Sequence, residues 1–157
     1  VTSALPSPGS IFLEVPARTE FVSLVRLVVA SAAEIGPDMA IERVEDLRVA
    51  VSEAATNAIE AHVESGSKSR IGIRCSVSDE KVVVGIHDEG GGFDPDNIGT
   101  LPEPDSPERL QYESGLGVYL MRELADETEI TSSSSGTDVR LVVYSSKHTP
   151  PDQQPSG

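Results

Sequence analysis

The spacing of apolar residues changes character along the chain. Ile11, Leu13 and Val15 fall at every second position before Pro16, which predicts a short strand over 11–15. From Arg18 to Ile35 the apolar residues Phe21, Leu24, Val25, Val28, Val29 and Ala32 recur at helical spacing until Gly36-Pro37 stops them. Val44, Leu47, Val51, Ala54, Ala55, Ala58 and Ala61 make a broad stripe that predicts a second helix over 41–63, closed by Ser65-Gly66. Strand-like segments follow at 70–77 and 81–87, joined by Ser78-Asp79-Glu80, a gap that suits a tight hairpin. A third helix fits 118–126, and strands fit 129–132 and 138–144 around Ser133-Ser134-Ser135-Gly136. Helices in blocks and strands paired with sequence neighbours predict an α+β two-layer sandwich, a mixed and mostly antiparallel sheet with three helices on one face.

Between the second hairpin strand and the third helix the pattern fails. Residues 94–114 hold Pro95, Pro102, Pro104 and Pro107 and no periodicity, too long a stretch for a plain connector, so a lid or binding loop is expected there. The domain itself is expected over 11–146, with disordered, proline-containing tails at 1–10 and 147–157.

The chain of 157 residues carries 12 basic and 26 acidic side chains, a net charge of -14. That charge repels phosphate backbones and anionic lipid surfaces, which argues against direct nucleic acid or membrane binding and for protein or small-molecule partners. Cys75 stands alone, so neither an intrachain disulfide nor a cysteine-rich zinc site can form, and the usage fits a reducing cytoplasm. The first ten residues lack the basic start and apolar stretch of a signal peptide, and no apolar run approaches membrane-spanning length, so a soluble cytoplasmic protein is expected.

Three features carry candidate chemistry. Glu53 and Asn57 lie four residues apart on the second helix, about 40° apart around its axis, at the border of the apolar stripe where a carboxylate and an amide can face a cleft. Their bland alternative is an acidic wet face that also carries Asp46, Glu60 and Glu64. Asp88 ends a strand and is followed by Gly90, Gly91 and Gly92, where a ligand can approach the backbone closely and the aspartate can accept a directional hydrogen bond; a solvated acidic turn is the alternative. Ser114-Gly115-Leu116-Gly117 precedes the third predicted helix, whose N–H groups can receive phosphate oxygens. No lysine lies between Lys81 and Lys147, so phosphate charge there calls for a divalent ion, and the Asn57 oxygen is a natural ligand for magnesium.

Taken in order, these segments resemble the GHKL ATPase family, and more closely its bacterial serine kinases that act as anti-sigma factors. Glu53-Ala54-Ala55-Thr56-Asn57-Ala58 resembles the asparagine box, Asp88 to Gly92 the first glycine box, and Gly115-Leu116-Gly117 with Val118 to Met121 the second. The resemblance implies the GHKL (Bergerat) ATP-binding fold, with ATP as the nucleotide and magnesium held from Asn57. It implies that Asp88 grips the adenine amine, with Gly90 and Gly92 shaping the pocket and Thr137 supporting it. Gly115, Leu116 and Gly117 would belong to the phosphate loop, and Glu53 would orient or deprotonate the attacking hydroxyl. Such relatives phosphorylate a serine or threonine on a small antagonist protein, hold a sigma factor, and pair through the first strand and helix; Arg26 matches a partner-facing arginine of that helix. Two departures stand out. Glu113 precedes Ser114 where the family often has arginine, and Arg109 against Asp94, Asp96, Glu103, Asp105, Glu108 and Glu113 leaves the 94–114 segment at -5. Ala61-His62 stands where relatives often place histidine first, which makes His62 a site candidate, with ordinary surface as the preferred reading. A nucleotide-responsive anti-sigma or regulatory module without transfer activity is the alternative function. The catalytic domain of a histidine kinase is a weaker one, because His62, His87 and His148 are poorly placed as phosphate acceptors.

Overall fold

The computed structural model of the protein describes residues 9–36, 38–91 and 108–145. In chain order the elements are β1 (Ser10–Val15), a 3-10 turn (Thr19–Phe21), α1 (Val22–Ile35), α2 (Ile41–Ser65), β2 (Ile71–Val77), β3 (Lys81–Asp88), α3 (Glu108–Leu124), β4 (Glu127–Ser133) and β5 (Gly136–Tyr144). One five-stranded sheet has the order β1-β2-β3-β5-β4, and every neighbouring pair is antiparallel. Sequence-adjacent strands pair except where β5 inserts between β3 and β4, which brings Thr137 opposite Asp88.

Alternation along the strands sends one side chain in two to the helices. On β3, Val82, Val84, Ile86 and Asp88 are buried, and Ile71, Ile73 and Cys75 of β2 and Val139, Leu141 and Val143 of β5 extend the same face. α2 covers its middle. Leu47, Val51, Ala54, Ala55 and Ala58 are buried there, and the run of alanines lets the helix axis come close to the sheet. Leu47 is fully buried, so truncation to alanine should cost about 2–5 kcal/mol. α2 packs between α1 and α3; α1 lies over β2, α2 over β3 and β5, and α3 over β4.

Local chemistry sets the element ends. Gly66 closes α2 in the left-handed region at φ 70° and donates its N–H to the His62 carbonyl. Arg18 is extended, so the chain leaving β1 needs a turn of 3-10 geometry before α1 can start at Val22 rather than at Arg18. Arg43 at the start of α2 ties down the far end of α3. Its guanidinium donates to Asp46 at 2.7 Å and to the Leu124 carbonyl at 3.2 Å, and pairs with Asp126 at 2.9 Å. A cation at that helix C-terminus is favourable to its dipole.

The third helix departs from expectation. It begins at Glu108, not Val118, so residues 108–114 of the expected lid are helical and Gly115, Leu116 and Gly117 lie inside α3 instead of ahead of it. The helix buries Val118 and Met121 against the core, and this packing offsets the roughly 1 kcal/mol that each glycine costs a helix. Residues 94–107 of that lid, Gly92 and the tail segments 1–8 and 146–157 lie outside the described residues. Among the described residues no helix is long and apolar enough to cross a membrane.

Candidate functional site

The last residue of β3 is Asp88, and its position on the inward face buries a carboxyl where the strand runs out of apolar neighbours. Burial lifts its pKa above the ordinary carboxylate value, while a hydrogen bond from the Gly90 N–H, the nearby His87 and the Thr137 N–H pull the other way. The Gly90 bond is 2.9 Å long and ends on Oδ1. An ionised carboxylate has about four lone-pair positions, so these main-chain donors leave acceptor capacity for a ligand.

Close packing holds the turn after Asp88. A Cβ on Gly90 would come within 2.6 Å of Ala61 Cβ and 2.8 Å of its carbonyl carbon, so only glycine lets the turn lie against α2. From the other side Gly136, at φ 149°, brings β5 so near that a side chain there would overlap the Asp88 carbonyl oxygen. Thr137 is buried beside it and shares a 2.8 Å hydroxyl hydrogen bond with Ser132 on β4.

A second cluster lies further up α2. The side chains of Glu53 and Asn57 are half-buried and converge on Gly117 of α3: a Cβ at Gly117 would stand 3.1 Å from Glu53 Oε2, 3.2 Å from Asn57 Nδ2 and 3.4 Å from Asn57 Oδ1. Gly117 is therefore the place where α3 yields room to two polar heads. Among the described residues no hydrogen bond or ion pair ties either head down. Glu53, Asn57 and Ala61 recur every fourth residue, so the two clusters share one flank of α2, with Asn57 about 6 Å and Glu53 about 12 Å along the axis from the Ala61 contact.

Of the expected residues, Glu53, Asn57, Gly90 and Gly117 thus lie along one flank of α2, with Asp88 and Thr137 beside the Gly90 turn. Leu116 is on α3 with its side chain 43% exposed, away from the contact that Gly117 makes. Arg26 is on α1, the opposite flank of α2 from α3, half-buried, with its Nε buried and unpaired among the described residues. Cys75 is buried in β2 and burial pushes its thiol up to about 11, which makes it a poor nucleophile at neutral pH.

His62 was expected on the surface and is 1% exposed. It follows Ala58 by four positions and Ile59 by three, so it continues the apolar stripe of α2; that spacing was the available signal. Its Nε2 accepts the Glu89 N–H at 2.8 Å and its Nδ1 lies 3.0 Å from the Ser69 carbonyl. Gly136 reads from the sequence only as a turn residue, because its place against Asp88 rests on the approach of β5 to β3.

Among the described residues no group of three or more histidine, cysteine, aspartate or glutamate side chains could cage a metal. Asn57 with Glu53 offers one amide oxygen and one carboxylate, a donor set that suits magnesium sharing its coordination with waters and phosphate oxygens.

Residues 15–143 match the family described as the histidine kinase-like ATPase domain. The chain is 34% identical over 137 residues to the serine-protein kinase RsbW of Bacillus subtilis, covering 84% of this chain and 83% of that protein. It is 32% identical over 140 residues to RsbW of Staphylococcus aureus, covering 86% of each. Among solved structures, the RsbU and RsbW domains of a Mycobacterium tuberculosis protein superpose with a TM-score of 0.61 at 20% identity, covering 88% of this chain and 32% of that one, and share its fold. Motifs and sequence identity agree that this chain belongs to the histidine kinase-like (GHKL) ATPase family, as a homologue of the serine-protein kinase RsbW.

Proposed function

We propose that the protein is an ATP-dependent serine/threonine kinase and anti-sigma factor that phosphorylates a small antagonist protein and sequesters a sigma factor. The observation that carries this reading is the shared flank of α2, where Gly90 packs on Ala61 beside Asp88 while Glu53 and Asn57 meet over Gly117. A nucleotide laid along that flank has its base at Asp88 and its terminal phosphate at Glu53. The names of the RsbW relatives, serine-protein kinases, point to the same chemistry.

In this reading Asp88 accepts the adenine exocyclic amine through the oxygen capacity left by Gly90, and Thr137 and Gly136 hold the strand beside it. Asn57 would hold magnesium, which supplies charge neutralisation for the phosphates. Glu53 takes the proton from the attacking serine or threonine hydroxyl as its oxygen bonds to the γ-phosphorus and the bond to the bridging oxygen breaks, leaving ADP. Positioned proton acceptors of this kind contribute about 10²–10⁴-fold to rate. Gly115 is assigned to the phosphate end; Gly92 and most of the expected 94–114 lid lie outside the described residues. Partner contact is assigned to α1 through Arg26, and self-pairing to α1 with the edge strand β1, where Phe12 and Leu27 are exposed.

A regulatory module without transfer is favoured by one feature, Glu113 and a 94–114 segment at -5, which oppose a triphosphate. The two readings part in one experiment. Partners are captured from native extract with ATP or ADP, identified by mass spectrometry, and the recovered antagonist is incubated with γ-labelled ATP. Transfer to a serine or threonine that falls about 10²–10⁴-fold in Glu53→Ala, with ATP affinity kept, supports the kinase. Transfer unchanged in Glu53→Ala removes that residue from the chemistry, and a captured antagonist that never gains label leaves the regulatory module.

A further inference from the structure

We propose that His62 is a positioning residue of the cleft: its unprotonated Nε2 ties the Asp88–Gly90 turn to α2 and so sets the base-binding carboxylate in register with Asn57 and Glu53. This rests on the reading of Asp88 as the base-recognition residue.

The hydrogen bonds admit one state of the ring. The Glu89 N–H can only donate, so Nε2, 2.8 Å away, is the acceptor and carries no proton. The Ser69 carbonyl can only accept, so Nδ1, 3.0 Å away, carries the proton. The buried imidazole is therefore neutral, in the Nδ1–H tautomer, bridging the connection after α2 and the turn after β3. Of the contacts on that turn, the Gly90 N–H bond to Asp88 is internal to it, and Gly136 presses on it from β5. The Ala61 contact is packing alone. His62 supplies a directional bond from the helix that bears Asn57 five residues earlier and Glu53 nine residues earlier. An α-helix is stiff over that length, so the His62–Glu89 bond fixes the separation of the two ends of the cleft.

The two nitrogens can be replaced separately. Asparagine puts its amide at the level of Nδ1 and can keep the Ser69 bond but cannot reach Glu89. Glutamine puts its oxygen at the level of Nε2 and can keep the Glu89 bond. Calorimetric titration of the full chain with magnesium and ADP is expected to give His62→Gln an affinity close to wild type and His62→Asn one about ten-fold weaker, the scale of one buried hydrogen bond. Thermal stability falls by similar amounts in both, and fast exchange of the Glu89 amide appears only in His62→Asn. Equal affinity in the two variants, or losses that follow melting temperature alone, overturns the proposal. Asp88→Asn, run alongside, separates the claims: if it binds ADP as wild type does, the reading of Asp88 falls, whereas its loss of binding with normal His62→Asn affinity sinks only the role of His62. Should either histidine variant fail to fold, nitrogen NMR of wild-type protein labelled at histidine decides, and a proton on His62 Nε2 at neutral pH contradicts the assignment.

Discussion

The two ends of the α2 flank are built differently. At Asp88 the described neighbours are held in place: Gly90 donates to the carboxylate, His62 accepts from Glu89, Gly136 excludes a side chain, and Thr137 is buried against Ser132. At Gly117 the heads of Glu53 and Asn57 meet with no hydrogen bond holding them among the described residues. A preorganised end selects a ligand at little entropic cost, whereas side chains free to adjust can follow a phosphate through transfer. Under the proposed function the contrast fits recognition at Asp88 and chemistry at Glu53, and substitutions at the two ends should then fail in different ways.

Asp88→Asn gives the largest contrast in binding. The amide must turn its oxygen to the Gly90 N–H, which leaves an NH₂ donor facing the ligand amine, and nucleotide affinity should drop at least about ten- to a hundred-fold. Stability should move the opposite way. Burial raises the carboxyl pKa in the folded state, so in the window above the ordinary carboxylate value the native protein binds more protons than the unfolded chain, and stability contributed by Asp88 increases as pH falls. Asparagine removes this dependence, so the variant should melt at or above the wild-type temperature at neutral pH; a lower melting point with intact binding would reverse both assignments.

Gly90→Ala should come next. Its Cβ would lie under 3 Å from Ala61 backbone and side chain, so the turn must lift from α2, at a cost of about 1–3 kcal/mol in denaturant unfolding, with weakened ADP binding. Wild-type stability in this variant would mean that the turn is not pinned. Asn57→Ala probes the other end. The expected outcome is a loss of magnesium dependence, with wild-type and variant affinities converging when the ion is removed; parallel titration curves at all magnesium concentrations would exclude Asn57 as its ligand. Gly117→Ala is the mildest change. Alanine favours the helix by up to about 1 kcal/mol, yet the new methyl crowds Glu53 and Asn57 at 3.1–3.4 Å, so melting temperature should rise slightly while phosphate transfer declines.

Regular periodicity made most of the fold legible. The α2 stripe and its Ser65-Gly66 stop, the β2–β3 hairpin and the terminal β4–β5 pair needed only period and turn residues. The start of α3 did not follow from local rules, because Gly115 and Gly117 read as breakers while the demand for a small residue at Gly117 comes from Glu53 and Asn57 on another helix. His62 carried a readable position on the stripe, but its polar character drew it toward the surface; the partners that make burial tolerable, Ser69 and Glu89, are supplied by the tertiary fold. Glu53, Asn57, Asp88 and Gly117 are singled out by motif spacing, their roles are implied by the family resemblance, and the fold adds that Glu53 and Asn57 meet over Gly117 on the flank of α2 that Gly90 also packs against.

Backbone and side-chain amide NMR during a titration with magnesium and ADP tests the central claim most directly, because it watches both ends at once. One cleft predicts that the Glu89 and Gly90 amides, the Asn57 side-chain NH₂ and the Gly117 amide shift together with a single dissociation constant. Shifts confined to one end, or two ends saturating at different ADP concentrations, would contradict it.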